Sequence, residues 1–226
     1  ALMRSENHKV ARAYVLYREA RAQERAAAAA QQTGHAEAPA LNVKGRDGTL
    51  APLDHARLAL IVREACDGLA DVSTEAVLSE TYRNLYDGIA AHELTLAPIL
   101  AARTLIETEP AYSEVSARLL MDQLREEALS FVSGRPDSAS HAEMAERYPE
   151  YFRAYVAKGI AADLLDPELA RFDLDRLGRA LKPERDMRFQ FLGLQTLYDR
   201  YFLQTRGVRF ELPQAFFMRV AMGLSL

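Results

Sequence analysis

Asn42-Val43-Lys44-Gly45-Arg46-Asp47-Gly48-Thr49-Leu50-Ala51-Pro52-Leu53-Asp54 is the stretch on which the reading of the whole chain turns. Two short extended pieces flank Asp47-Gly48, and Asp-Gly between such pieces is a strong hairpin signal because the tight turn needs positive φ. Asp54 then stands where an N-cap belongs, ahead of Leu58, Ile61, Val62, Ala65 and Leu69. Their three-and-four spacing predicts a helix with one buried face. Ser73 caps a second helix carrying Val77, Leu78, Tyr82 and Leu85, which ends at the Asp87-Gly88 turn. A third helix is expected over roughly 94–106, with Pro98 in or near its first turn, where a missing N–H is harmless. A fourth, roughly 112–132, presents Val115, Leu119, Leu124, Ala128 and Phe131 or Val132. The expected fold class is mainly α, with a small β-hairpin lidding a four-helix bundle.

Past the fourth helix, Gly134-Arg135-Pro136-Asp137-Ser138 makes a break. Helical segments are expected over 140–147 and over 149–162, the latter with Pro149 at the favoured first position. Asp166-Pro167-Glu168 starts a short helix by the same device, and Leu174, Leu177 and Leu181 mark another. Arg206-Gly207 reads as a turn. The apolar run 213–226, with Phe216, Phe217, Val220, Met222 and Leu224, is expected to be buried against 140–205 or against another subunit. Upstream, 1–30 reads as one helix with Val10, Tyr14 and Tyr17 on one side, and 31–41 as a linker without apolar period. Ala1-Leu2-Met3-Arg4 has the character of a helix interior, and nothing stops the helix at the other end, so a piece of a longer protein is expected.

The 226 residues carry a formal net charge of −4, which advertises neither nucleic acid nor an anionic membrane. One cysteine, Cys66, excludes an internal disulfide and a cysteine-rich zinc site; its place on an apolar helix face makes it a small buried hydrophobe. A reducing cytoplasm fits. His8, His35, His55, His92 and His141 are scattered without metal-ligand spacing. Asp163, Asp166, Asp173 and Asp175 flank short helices and read as caps. Arg185 and Asp186 read as a structural pair or a cap, and there is no Gly-x-x-x-x-Gly-Lys loop to cradle phosphates.

Arg46-Asp47-Gly48, Leu53-Asp54, Asn84-Leu85-Tyr86-Asp87-Gly88-Ile89 and Ser116-Ala117-Arg118-Leu119-Leu120, in that order, resemble an ATP-cone. This is the allosteric nucleotide-binding module at the front of ribonucleotide reductase large subunits. Ser5-Glu6-Asn7-His8-Lys9-Val10-Ala11-Arg12 is similar to Ser113-Glu114-Val115-Ser116-Ala117-Arg118, which implies the closing helix of a first, truncated cone. Further on, Arg185-Asp186-Met187, Tyr201-Phe202-Leu203-Gln204, Glu211-Leu212-Pro213-Gln214 and Met218-Arg219-Val220-Ala221-Met222 resemble the entry to the catalytic domain of the aerobic (class I) ribonucleoside-diphosphate reductase large subunit. The resemblance implies four parts: 1–30 closing a first cone, 31–41 a linker, 42–133 a second cone, and 134–226 the helical start of the catalytic domain.

It also implies a function: overall-activity control by ATP and dATP, acting through subunit association on an enzyme that makes deoxyribonucleotides by thiyl-radical chemistry. The implied partners are other large subunits and a radical-bearing small (beta) subunit, with no nucleic acid and no membrane. No cofactor and no catalytic residue are expected inside these 226 residues, because the lone cysteine lies in the regulatory part. Family cones hold the nucleotide with two hairpin bases, a carboxylate, a threonine and a lysine on the last helix. Arg46 matches one base, and Val43, Leu53 and Leu58 match apolar positions around the nucleobase. Gly45, Ala51, Ala91 and Glu126 stand at the other four positions, so this cone is expected to be degenerate. A cone-bearing transcriptional repressor would need a four-cysteine zinc ribbon, which is absent; a helical adaptor without a nucleotide role is the remaining alternative.

Overall fold

Asp54 begins the ordered core as expected: its side chain accepts the Arg57 N–H at 2.8 Å and starts helix α1, His55–Cys66. The computed structural model describes residues 41–45 and 48–226. The helix expected over 1–30, nearly all of the 31–41 linker, and Arg46 lie outside the described residues. Strands β1 (Asn42–Lys44) and β2 (Leu50–Pro52) form the hairpin, with Val43 opposite Ala51. Ser73 caps α2, Thr74–Arg83, by accepting the Ala76 N–H. That helix stops at Asn84, short of the Asp87-Gly88 turn. The turn is used instead to start a third strand, β3 (Ile89–Ala90), parallel to β1. The Asp87 carboxylate accepts both the backbone and the side-chain N–H of Asn42, which pins β3 alongside the hairpin and lowers the Asp87 pKa.

Two prolines sit deeper in helices than their sequence suggested. Helix α3 spans Ala91–Thr104, so Pro98 is its eighth residue and buried. The helix begins early because β3 runs straight into it and the Glu93 carboxylate takes the Ala90 N–H and the Tyr86 hydroxyl. After the short 3₁₀ turn Leu105–Glu107, α4 (Tyr112–Ser133) crosses the molecule and ends on Gly134, whose φ of 74° supplies the left-handed cap. Next, 140–143 is a turn held by Ser140 and Glu143, and one helix, α5 (Met144–Ala161), runs through Pro149. Tyr148, Tyr151, Phe152 and Tyr155 are buried on either side of the proline, and this packing offsets a ladder bond lost at Pro149.

The remainder is a series of short elements packed on α4 and α5: the 3₁₀ turn Pro167–Arg171, α6 (Leu174–Ala180), the 3₁₀ turn Pro183–Arg188, α7 (Phe191–Arg200), the hairpin β4 (Gln204–Thr205) and β5 (Val208–Arg209), and α8 (Pro213–Gly223). One buried cluster runs from Leu58 and Val62 through Leu124 on α4 to Phe152, Leu194 and Phe210. Helix α8 meets its expectation on one face only. Ala215 and Met222 are buried, whereas Phe217 is 53% and Leu224 85% exposed.

Gly178 on α6 lies against the backbone of Pro149: an added Cβ would stand 2.9 Å from Pro149 Cα. Gly178→Ala should therefore cost about 1–3 kcal/mol in a urea titration. Gly193→Ala on α7, where a Cβ meets nothing, should be neutral or stabilising by up to about 1 kcal/mol.

Candidate functional site

The hairpin positions separate into two layers. Val43 lies half-buried at the centre of the three-stranded sheet, paired to Ala51 on one side and Ile89 on the other. Gly45 closes the hairpin, donating its N–H to Thr49 and accepting from Gly48. Leu53 and Leu58 are core residues beneath, 6% and 4% exposed. Ala51 is exposed, Ala91 is the first residue of α3, and Glu126 is exposed on α4. The fold thus brings Val43, Gly45, Ala51 and Ile89 onto one small sheet, with Leu53 and Leu58 below it. Lys44, exposed at the end of β1, is a hairpin cation to which the family pattern gives no role.

Sequence reading also missed Arg57, next to Leu58. Its guanidinium reaches both oxygens of Asp122 on α4, at 3.2 and 3.3 Å. Arg125, one turn further along α4 and 3% exposed, donates to the same carboxylate at 3.1 Å. Asp122 therefore sits between two guanidiniums, so that one carboxylate ties α1 to α4. The signal was present in Asp122 and Arg125, charged residues at i and i+3 among the apolar positions of that helix. Cys66 is buried, as expected, and burial pushes its thiol pKa up, away from reactivity.

A second constellation gathers the residues of the downstream motifs. Tyr148, Tyr151 and Tyr155 point from one side of α5 into the protein, and each hydroxyl is partnered. Tyr148 donates to Asp186 at 2.5 Å, Tyr151 donates to the Phe210 carbonyl and accepts from the Leu212 N–H, and Tyr155 donates to Glu211. Gln214 donates to Asp186 and to the Lys182 carbonyl, and accepts the Lys182 N–H. Arg219 clamps Glu211 through Nε at 2.6 Å and Nη2 at 3.3 Å, while the Leu203 N–H adds a fourth donor. Asp186 is thus a structural residue, paired with Tyr148 and Gln214 rather than with its neighbour Arg185. All three tyrosines are driven well above their ordinary pKa, first by burial and then by the carboxylates beside them, except that the Leu212 N–H opposes the shift at Tyr151.

Burial raises the Asp186 pKa to about 6, against the pull of the Tyr148 and Gln214 hydrogen bonds. The folded value lies above the unfolded one, so the folded state holds an extra proton between about pH 4 and 6, and this residue costs stability as pH rises through that window. Carboxylates such as Asp87 and Glu93, with lowered pKa, slope the other way. The comparison that isolates Asp186 is therefore with Asp186→Asn. Measured by urea titration, the variant should gain on the parent by up to about 3 kcal/mol between pH 4 and 7. A constant difference across that range would contradict the assignment.

Among the described residues no group of three potential ligands could hold a metal ion, and no helix is long and apolar enough to cross a membrane. Residues 187–226 match the family model described as ribonucleotide reductase, all-alpha domain. The whole chain is similar to the ribonucleoside-diphosphate reductase subunit alpha of Chlamydia trachomatis, 39% identical over 230 residues, covering 100% of the chain and 21% of that protein. The same subunit of Helicobacter pylori is 32% identical over 187 residues, 82% of the chain and 22% of that protein. The large subunit of Danio rerio is 26% identical over 186 residues, covering 81% and 22%. The chain spans about a fifth of the length of these relatives. The buried clusters just described are built from Asp186, Glu211, Gln214 and Arg219, which lie within or next to the matched stretch, and the chain belongs to the ribonucleoside-diphosphate reductase large-subunit family as part of its N-terminal region.

Proposed function

We propose that these residues form an allosteric front region of a ribonucleoside-diphosphate reductase, the oxidoreductase that makes deoxyribonucleotides, and that ATP and dATP control it through subunit association. In this reading 42–133 is an ATP-cone that has lost its effector and serves as a spacer or a contact surface toward other large subunits and the radical-bearing small subunit. The truncated cone represented by 1–30 would do the sensing. The reductive chemistry falls to cysteines elsewhere in the parent protein, since Cys66, the one cysteine here, is buried in the hairpin-bearing part.

The observation that carries the loss of effector binding is Asp122. A triphosphate needs several converging donors, and the guanidinium of Arg57, which precedes Leu58 in the sequence, is already engaged by an internal carboxylate. Glu126 and Ala51 occupy the positions where the family has a lysine and a carboxylate, so charge recognition of the phosphates and polar recognition of the base are both weakened.

Calorimetric titration of residues 1–226 with dATP, and separately with ATP, tests this directly. No saturable heat is expected at micromolar nucleotide. A micromolar dissociation constant, about −8 kcal/mol, would show an intact pocket using Lys44 and Arg46, and would overturn the reading. The full-length subunit should still change its assembly size with dATP by light scattering.

A further inference from the structure

Where α1 and α4 meet the 139–143 turn and the 183–188 turn, a pocket of about 10 Å3 is lined by Glu64, Arg118, Asp122, Arg125, His141 and Met187, among others. Two side-chain nitrogens in it, Arg125 Nη1 and His141 Nδ1, are buried and without a protein partner among the described residues. Arg125 is fixed by Nε on the Ala139 carbonyl at 3.1 Å and by Nη2 on Asp122 at 3.1 Å. His141 is anchored by its own carbonyl, which accepts the Met144 N–H, inside the turn that Ser140 and Glu143 close. Arg118, the other guanidinium at the pocket, spends its donors on the carbonyls of Ala65, Asp67 and Met187.

We propose that this pocket is a binding site for a single water molecule, which accepts a hydrogen bond from Arg125 Nη1 and donates one to His141 Nδ1. The volume suits one water, and a buried water needs two to four polar partners. A buried guanidinium nitrogen left bare forfeits its hydration with nothing in return, so an occupant is strongly favoured. Its chemistry must be two-faced. Arg125 can only donate, whereas a neutral imidazole protonated on Nε2 offers Nδ1 as an acceptor. Burial and the nearby Arg125 and Arg118 charges lower the His141 pKa and favour that neutral form. An anion fits less well: it would share the pocket with the Asp122 and Glu64 carboxylates, which instead offer acceptors for the second water proton. The site lies at a joint, because Met187 opens the matched all-alpha stretch while α1 and α4 carry the hairpin module. One water would link the two.

Nuclear magnetic resonance of the 226-residue chain at pH 7.5 tests this without any variant that has to fold. The expected result is His141 with Nδ1 unprotonated, in the Nε2–H tautomer, and a nuclear Overhauser contact between its ring and a long-lived water. Its melting temperature should be the same in sodium chloride and sodium gluconate at equal ionic strength. A protonated Nδ1, or no bound-water contact, overturns the proposal. A melting temperature that rises with chloride would overturn it in favour of a halide seat.

Discussion

Three buried hydroxyls on one helix govern the C-terminal half of this structure. A tyrosine carried into an apolar interior must find a hydrogen-bond partner or cost about 1–3 kcal/mol. Helix α5 brings in three of them at positions 148, 151 and 155. Their partners come from the 183–188 turn and from the irregular segment 210–212. Two connections that have no long secondary structure of their own are thereby tied to one rigid element. The Glu211 carboxylate is fully buried yet takes donors from Tyr155, Leu203 and Arg219, so its charge is matched rather than stranded. For Arg219, burial works against the charged form and Glu211 more than offsets it, raising its pKa.

This explains why Arg185-Asp186-Met187, Glu211-Leu212-Pro213-Gln214 and Met218-Arg219-Val220-Ala221-Met222 go together. They are separated in sequence but bonded in space: Asp186 to Gln214, and Glu211 to Arg219. Pro213 opens α8 at the position where it costs nothing, which aims Gln214 back at Lys182 and Asp186. Within the described residues these groups bond to one another and to α5. Their chemistry is that of staples, and the motif is the record of a folding constraint.

Much of this architecture was legible in the sequence because local rules and tertiary packing agreed there. Asp54 and Ser73 cap where their spacing said they would, β1 and β2 pair as a hairpin, and Cys66 is buried. The misreadings share one cause. Local preference puts Pro98 and Pro149 at helix starts, and packing overrides it, since flanking buried aromatics and aliphatics hold both helices intact through the proline. Strand β3 was invisible because two residues, Ile89 and Ala90, carry no periodicity; only the long-range pairing to β1 defines it. Arg57–Asp122 is a contact across 65 residues, and no local pattern announces such a pair. The tyrosine stripe could have been seen: hydroxyls at i, i+3 and i+7 share one helix face, and that face also had to be buried.

Helix α4 joins the hairpin-bearing part to the C-terminal elements through two buried surfaces. Its first half carries Val115 and Leu119 into the core beneath the hairpin, and Asp122 meets Arg57 of α1. Its second half belongs equally to the C-terminal elements. Leu129 and Ala128 enter the continuous core, and Glu127 accepts from the Tyr198 hydroxyl and the Arg209 N–H. The Arg209 guanidinium in turn lies 3.7 Å over the Tyr198 ring. A residue on the exposed side of such a helix, as Glu126 is, can change without touching either buried surface. Removing the module, by contrast, would strip α1, α2 and α3 from α4 and expose Val115, Leu119 and Leu120 at once. The cost of that exposure is the same whether or not a nucleotide binds, so a change on the exposed side of the helix is cheap and loss of the buried surfaces is costly.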